Sequence, residues 1–149
     1  MKTLIISFAV LCLSLSFSAN MFAGDKEDVQ TTLDKTIKAF NDQDYKTYFS
    51  AFADDHTAFT TVDSPLRFDA DAWKEFIEGT AQLQYVNYYQ QDNIIRFYNG
   101  DTAVISGYYK FKTMPKGGEL NTQNGRASII MVKQNGKWLT VHMHFSELF

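Results

Sequence analysis

Cysteine is nearly absent from this chain of 149 residues: Cys12 is the only one, beside two prolines and three histidines. Cys12 also lies in a segment expected to be removed, so the mature chain has no disulfide, no thiolate metal site and no thiol nucleophile. An exported domain without disulfides must be stable on its core alone. No cluster of lysine and arginine occurs, and the formal charge is −3, so a nucleic-acid partner is not expected. The longest apolar run, 4–17, is short of the ~20 residues that a membrane-spanning helix needs.

That run follows Lys2 and leads to the small residues Ser16, Ser18, Ala19 and Ala23, which is the layout of a cleaved secretory signal. Residues 1–23 are therefore expected to direct export to the periplasm or the exterior, with cleavage between about 18 and 23. The remaining 24–149 suffice for one domain with a sizeable core and are too few for two. No membrane contact is expected after cleavage. There is no internal repeat and no low-complexity segment.

What is abundant is aromatic: 13 Phe, 8 Tyr and 2 Trp. Val29, Leu33, Ile37 and Phe40 mark one face of a first helix over 26–41. Asp42 or Asp44 can cap a short second helix carrying Tyr45, Tyr48, Phe49 and Phe52. "HTAFTTV", 56–62, reads as a short strand, with Asp54, Asp55 and Asp63 flanking it in loops or caps. Asp69 or Asp71 can cap a third helix with Trp73, Phe76, Ile77, Thr80 and Leu83 on one face. From residue 85 the texture becomes extended. Strands are expected over 85–98, 102–114, 122–134 and 137–146, with tight turns at Asn99-Gly100 and Asn135-Gly136, a loop at 115–121, and a bulge near Asp92. Helices followed by an antiparallel meander give an α+β fold with the helices on one face of a curved sheet, and strands this long must bend into a cone with a cavity at its open end.

The helix order, the strand "NGRASIIMVKQNGKW" and the ending "WLTVHMHFS" resemble the nuclear-transport-factor-2-like superfamily, which includes SnoaL-like and ketosteroid-isomerase-like proteins. The closest likeness is to the association (hub) domain of calcium/calmodulin-dependent protein kinase II, through "GKW", "VHMHFS" and "TAF" at 57–59. The resemblance implies a cystatin-like cone over 24–149. It implies a homodimer through the outer face of the sheet, with a hub-like assembly as the larger variant. The hub's basic cavity residues correspond to Tyr109, Ile129 and Phe145 here, and a cavity histidine corresponds to Trp73. A carboxylate clamp is therefore not expected.

Alternation along the last strand sets Val141, Met143 and Phe145 on one face and His142, His144 and Ser146 on the other. If the positions matching the hub cavity mark the inner face, the histidines point outward. The expected ligand cavity is Tyr48, Phe59, Trp73 and Tyr109 together with Ile129, Met131, Met143 and Phe145. Arg96, Arg126, His142 and His144 form a polar or interface set. His142 and His144 lack a third protein ligand nearby, since His56 is far along the chain, so no metal is expected. Isomerase chemistry needs a carboxylate facing a tyrosine hydroxyl. Tyrosines are plentiful at 85, 88, 89, 98, 108 and 109, but Asp92 falls at a bulge and Asp101 in a turn, so no catalytic residue is identified. No cofactor is indicated. Three readings remain: an exported module binding a small apolar or amphipathic molecule, an isomerase or dehydratase of the ketosteroid-isomerase-like kind, and a hub-like oligomerisation domain.

Overall fold

A computed structural model describes residues 24–60 and 67–148. The expected signal segment, Asp63 and the end of "HTAFTTV" lie outside the described residues. Helix α1 is helical over 24–41 and buries Val29, Leu33 and Phe40 of the expected stripe, with Ile37 half-buried beside them and Ala39 buried as well. Near its start, Asp25 is buried and ion-paired with Lys133, whose ammonium also sits 5.6 Å from the Trp138 ring. At its other end, Asn41 donates to the Tyr88 carbonyl at 2.8 Å and accepts from the Tyr88 N–H at 2.7 Å. Tyr88 belongs to an edge strand, so Asn41 supplies the partners that a neighbouring strand would have supplied.

Gln43, with φ of 58°, turns the chain into α2 (Tyr45–Phe49). Asp44 is the cap, accepting from the Thr47 N–H at 3.1 Å, and these Thr47 contacts hold its carboxyl below the usual carboxylate range. Strand β1 (Phe52–Phe59) begins four residues earlier than expected and contains Asp54 and Asp55, which are strand residues rather than loop or cap residues. The reason is tertiary: β1 pairs in parallel with the C-terminal strand from Phe52↔Thr140 onward, and no local propensity reports a partner so far along the chain. Asp69 caps α3 (Ala70–Gly79), accepting from the Ala72 N–H at 3.0 Å, and a 3₁₀ turn at Thr80–Gln82 closes the helical part.

Four long strands follow: β2 (Tyr85–Tyr98), β3 (Thr102–Met114), β4 (Asn121–Gln134) and β5 (Lys137–Glu147). The hairpin turns hold Asn99 and Gly100 at φ of 53° and 79°, and Asn135 and Gly136 at 51° and 77°, the left-handed pairs that two-residue hairpins require. The sheet order is β1-β5-β4-β3-β2, antiparallel except for β1 beside β5. This is an α+β cone with helices on the concave face of a curved, mainly antiparallel sheet.

Two irregularities curve the sheet. In β2 the register slips between Gln91 and Ile94, with Asp92 at φ of 56°, so Val86 and Tyr88 face inward before the slip, and Ile95 and Phe97 after it. In β5 the register slips so that Ile129 opposes Met143 while Met131 opposes Thr140. Thr140, not Val141, therefore joins Met143 and Phe145 on the inner face, which simple alternation did not foresee.

The inner face also depends on one close approach. A Cβ on Gly125 would lie 2.3 Å from Tyr109 Cε1 and 2.4 Å from the Ser146 backbone oxygen. Because a backbone oxygen cannot swing aside, Gly125→Ala is expected to cost about 1–3 kcal/mol, as overpacking typically does. A lowered urea midpoint at unchanged slope checks this; an unchanged midpoint would show that the β4–β5 ladder yields freely.

Candidate functional site: an apolar cavity beneath the helices

Between the helices and the inner sheet face lies a cavity of about 100 Å³. Its walls come from α1 (Leu33, Phe40), α2 (Tyr48), α3 (Trp73, Ile77) and the inner positions of β3, β4 and β5. Seven of the eight residues expected there line it: Tyr48, Trp73, Tyr109, Ile129, Met131, Met143 and Phe145. Phe59 does not. It is 40% exposed on the outer face, with its ring edge-on to His142 at 5.8 Å and His144 at 5.9 Å. The strand alternates, and the fully buried Ala58 takes the inward position opposite Met143, so its neighbour Phe59 must point outward.

The cavity's polar groups are hydroxyls, one indole N–H and one amide. Trp73 Nε1 donates to the Tyr48 hydroxyl at 3.3 Å, fixing α3 against α2. The Tyr88 hydroxyl donates to Gln90 Oε1 at 3.2 Å, and the Tyr88 ring stacks on Tyr109 with centroids 5.8 Å apart. Burial pushes the Tyr48 phenol well above its ordinary value despite the Trp73 bond. Tyr88 is raised too, first by burial and then by the neighbouring phenols of Tyr48 and Tyr109. Both therefore remain protonated at physiological pH and act as neutral hydrogen-bonding groups. The described lining residues include no carboxylate, imidazole, ammonium or guanidinium. Thr36, Thr60, Thr80, Thr140 and Gln123 also face the space, and only Thr140 among them lies on β5. Thr80 was read onto the apolar face of the third helix and Tyr88 among the tyrosines available for isomerase chemistry, but neither was assigned to the cavity, and Thr36, Thr60 and Thr140 were not singled out; the register slip in β5 and the edge position of β2 place Thr140 and Tyr88.

The polar set lies elsewhere. His142 and His144 project from the outer face, paired in register with Ile130 and Ser128, and Arg126 is exposed opposite Tyr108 and Ser146. Arg96 is likewise exposed on β2. The structure does not bring the arginines and histidines into one cluster with the cavity. His56 is buried in β1, with Nδ1 donating to the Ala53 carbonyl at 2.7 Å and its ring 4.8 Å from Phe52. It does not line the cavity. Among the described residues no group of three or more His, Cys, Asp or Glu side chains is placed to hold a metal ion.

With the fold and the cavity located, similarity to other proteins is decisive for the family. A model of the SnoaL-like domain matches residues 29–149. The chain belongs to the SnoaL-like domain family. Its solved neighbours share the architecture at low identity, and therefore speak for the fold alone. A candidate scytalone dehydratase from Novosphingobium aromaticivorans superposes with a TM-score of 0.78 at 12% identity, over 88% of this chain and 89% of its own. A nuclear-transport-factor-2-like protein from Salmonella enterica gives 0.75 at 16%, over 86% and 94%. The association domain of the Caenorhabditis elegans calcium/calmodulin-dependent protein kinase II gives 0.68 at 18%, over 83% and 96%. No curated protein matches the chain.

On the outer face, away from the cavity, His142 gives the fold a pH response. Burial holds its pKa below the ordinary 6.5, and the neighbouring His144 lowers it further, while Thr57 Oγ1 lies 2.8 Å from Nδ1. The folded state thus resists a proton that the unfolded chain accepts, so stability is full above the ordinary imidazole value and declines as pH falls through it. A melting series from pH 8 to 5 in the SnoaL-like protein is expected to show a falling Tm that flattens in His142→Gln. An identical slope in the variant would remove His142 from the account.

Proposed function

We propose that this SnoaL-like protein is an exported binding module that takes a small apolar or amphipathic molecule into the cavity. The observation that carries the reading is the chemistry of the walls: aromatic and aliphatic side chains with neutral polar groups and, among the described lining residues, nothing ionised at neutral pH. Such a surface favours apolar ligand area at about 25 cal/mol per Å² buried. A ligand carboxylate would be left without a cation, at a cost of several kcal/mol. Export rests on the apolar run 4–17 after Lys2 and on the small residues that follow it. It places the binding step in the periplasm or outside the cell.

Filling the space tests the reading. Met143 is buried and central to the inner face of β5, opposite Ile129. Met143→Trp is expected to abolish binding of toluene, read by proton-detected shift titration, while circular dichroism still reports a folded sheet. Toluene shifts that persist at Met143 neighbours in the variant would sink the cavity as the binding site. An isomerase or dehydratase is the competing reading, in keeping with the dehydratase name of the Novosphingobium neighbour. It requires a carboxylate within hydrogen-bonding reach of a cavity tyrosine, a pairing that the described lining residues do not contain.

The outer face supports a second role as an assembly surface. Phe59, Ile94, Tyr98 and Tyr108 expose large apolar side chains among its outward positions, with Ile94 54% and Tyr98 51% exposed. Arg96, Arg126, His142 and His144 are interspersed with them. A homodimer covering this face would bury those rings and desolvate the histidine pair. Light scattering at micromolar concentration is expected to give the dimer mass, and Ile94→Glu the monomer mass. A monomer in the unsubstituted protein overturns the assembly role and leaves the cavity reading untouched.

A further inference from the structure

Among the described residues, two buried hydroxyls in the cavity have hydrogen-bonding capacity that the protein does not use. Tyr48 is buried, and its oxygen accepts from Trp73 Nε1 at 3.3 Å. Because that bond occupies the oxygen's acceptor side, the Tyr48 proton is left without an acceptor among the described residues. Thr140 is only 4% exposed, lines the same cavity, and its side chain has no hydrogen-bond partner among the described residues, although its backbone N–H bonds to the Ala51 carbonyl at 2.8 Å. The two residues flank Phe52: the Tyr48 ring packs on the Phe52 ring at 4.8 Å, and Phe52 is the register partner of Thr140. By contrast the Thr36 and Thr80 hydroxyls are spent on helix carbonyls, at Thr32 and Ile77.

A hydroxyl that faces a cavity without a protein partner is satisfied there by water or by a ligand, since a hydrogen bond left unmade costs about 1–3 kcal/mol. Trp73 holds the Tyr48 oxygen, and the bulge in β5 turns Thr140 inward. The Tyr48 hydroxyl is thus oriented before any ligand arrives, which reduces the ordering cost of binding.

We propose that the cavity's ligand is a small, neutral, monocyclic molecule with one acceptor oxygen, which takes hydrogen bonds from the Tyr48 and Thr140 hydroxyls while its ring lies among Ile129, Met131 and Met143. This rests on the binding function proposed above. Size follows from the volume: a cavity of about 100 Å³ is of the order of the ~150 Å³ apolar cavity known to admit benzene. It has room for one ring. Neutrality follows from the absence of any ionised lining group among the described residues. An acceptor oxygen follows from the Tyr48 proton, which can only donate. A carbonyl oxygen has two lone pairs and can receive both hydroxyls at once.

Two probes of nearly equal shape separate the polar contact from the apolar one: cyclohexanone, and methylenecyclohexane, in which a CH₂ group replaces the oxygen. Shift titrations of the purified protein are expected to show both binding. Tyr48→Phe and Thr140→Val should each weaken cyclohexanone by about 2–12-fold, the factor for one neutral hydrogen bond. Methylenecyclohexane should change by less than about twofold. Both variants keep the shape of the original side chain, and their melting curves establish that they fold. If either substitution affects the two probes equally, or neither, the oxygen-recognition proposal falls while the binding function stands. If neither probe binds the unsubstituted protein, the binding function falls with it.

Discussion

The sheet's inner face must bend around three helices, and everything else about the molecule depends on how it does so. β2 and β4 run for 14 residues and β3 for 13, far more than a short helix can cover if the sheet stays flat. The slip at Asp92 and the slip between Thr140 and Met143 absorb that mismatch, each by turning an extra residue out of the ladder. The curved sheet then cannot close fully on the helices. The residual space is the cavity.

Curvature also sets the cavity's chemistry. Aromatic side chains dominate the helical stripes, and Phe40, Tyr48 and Tyr88 meet there with Phe111 and Phe145. Their ring edges and faces interlock in tilted and edge-on arrangements, which stabilises the packing without filling the space. Ion pairs are kept to the margin. The buried Asp25 pairs with Lys133, whose ammonium sits over the Trp138 ring, so the one deep carboxylate described on α1 is neutralised away from the site. The cavity is thereby left to neutral groups.

The two faces of the sheet divide the labour. Neutral hydroxyls and apolar side chains face inward, whereas Arg96, Arg126, His142 and His144 face outward beside Phe59, Ile94 and Tyr108. In β5 the division passes between adjacent residues: Met143 is core, while His142 and His144 on either side of it belong to the other surface. A family defined by this scaffold can vary one face without disturbing the other, which is consistent with neighbours at 12–18% identity keeping the fold.

Much of this was legible in the sequence because its signals are local. Heptad-like stripes at Val29, Leu33 and Phe40, the cap at Asp69, and the Asn-Gly turns are decided within a few residues. Alternation in β4 and β5 was enough to place Ile129, Met131, Met143 and Phe145 on one face. It failed where pairing, not propensity, decides. Phe59 was expected in the cavity and faces outward, because the parallel partner β5 sets the phase of β1. Thr140 lines the cavity because a one-residue slip exchanges the two faces of a strand, and such a slip leaves no signature in composition. The sequence by itself determined the elements, their order and the apolar character of the interior, since backbone and side-chain preferences act over short range. Only the tertiary structure decided which hydroxyls face the cavity and which rings face outward, because strand register is settled between segments far apart in the chain.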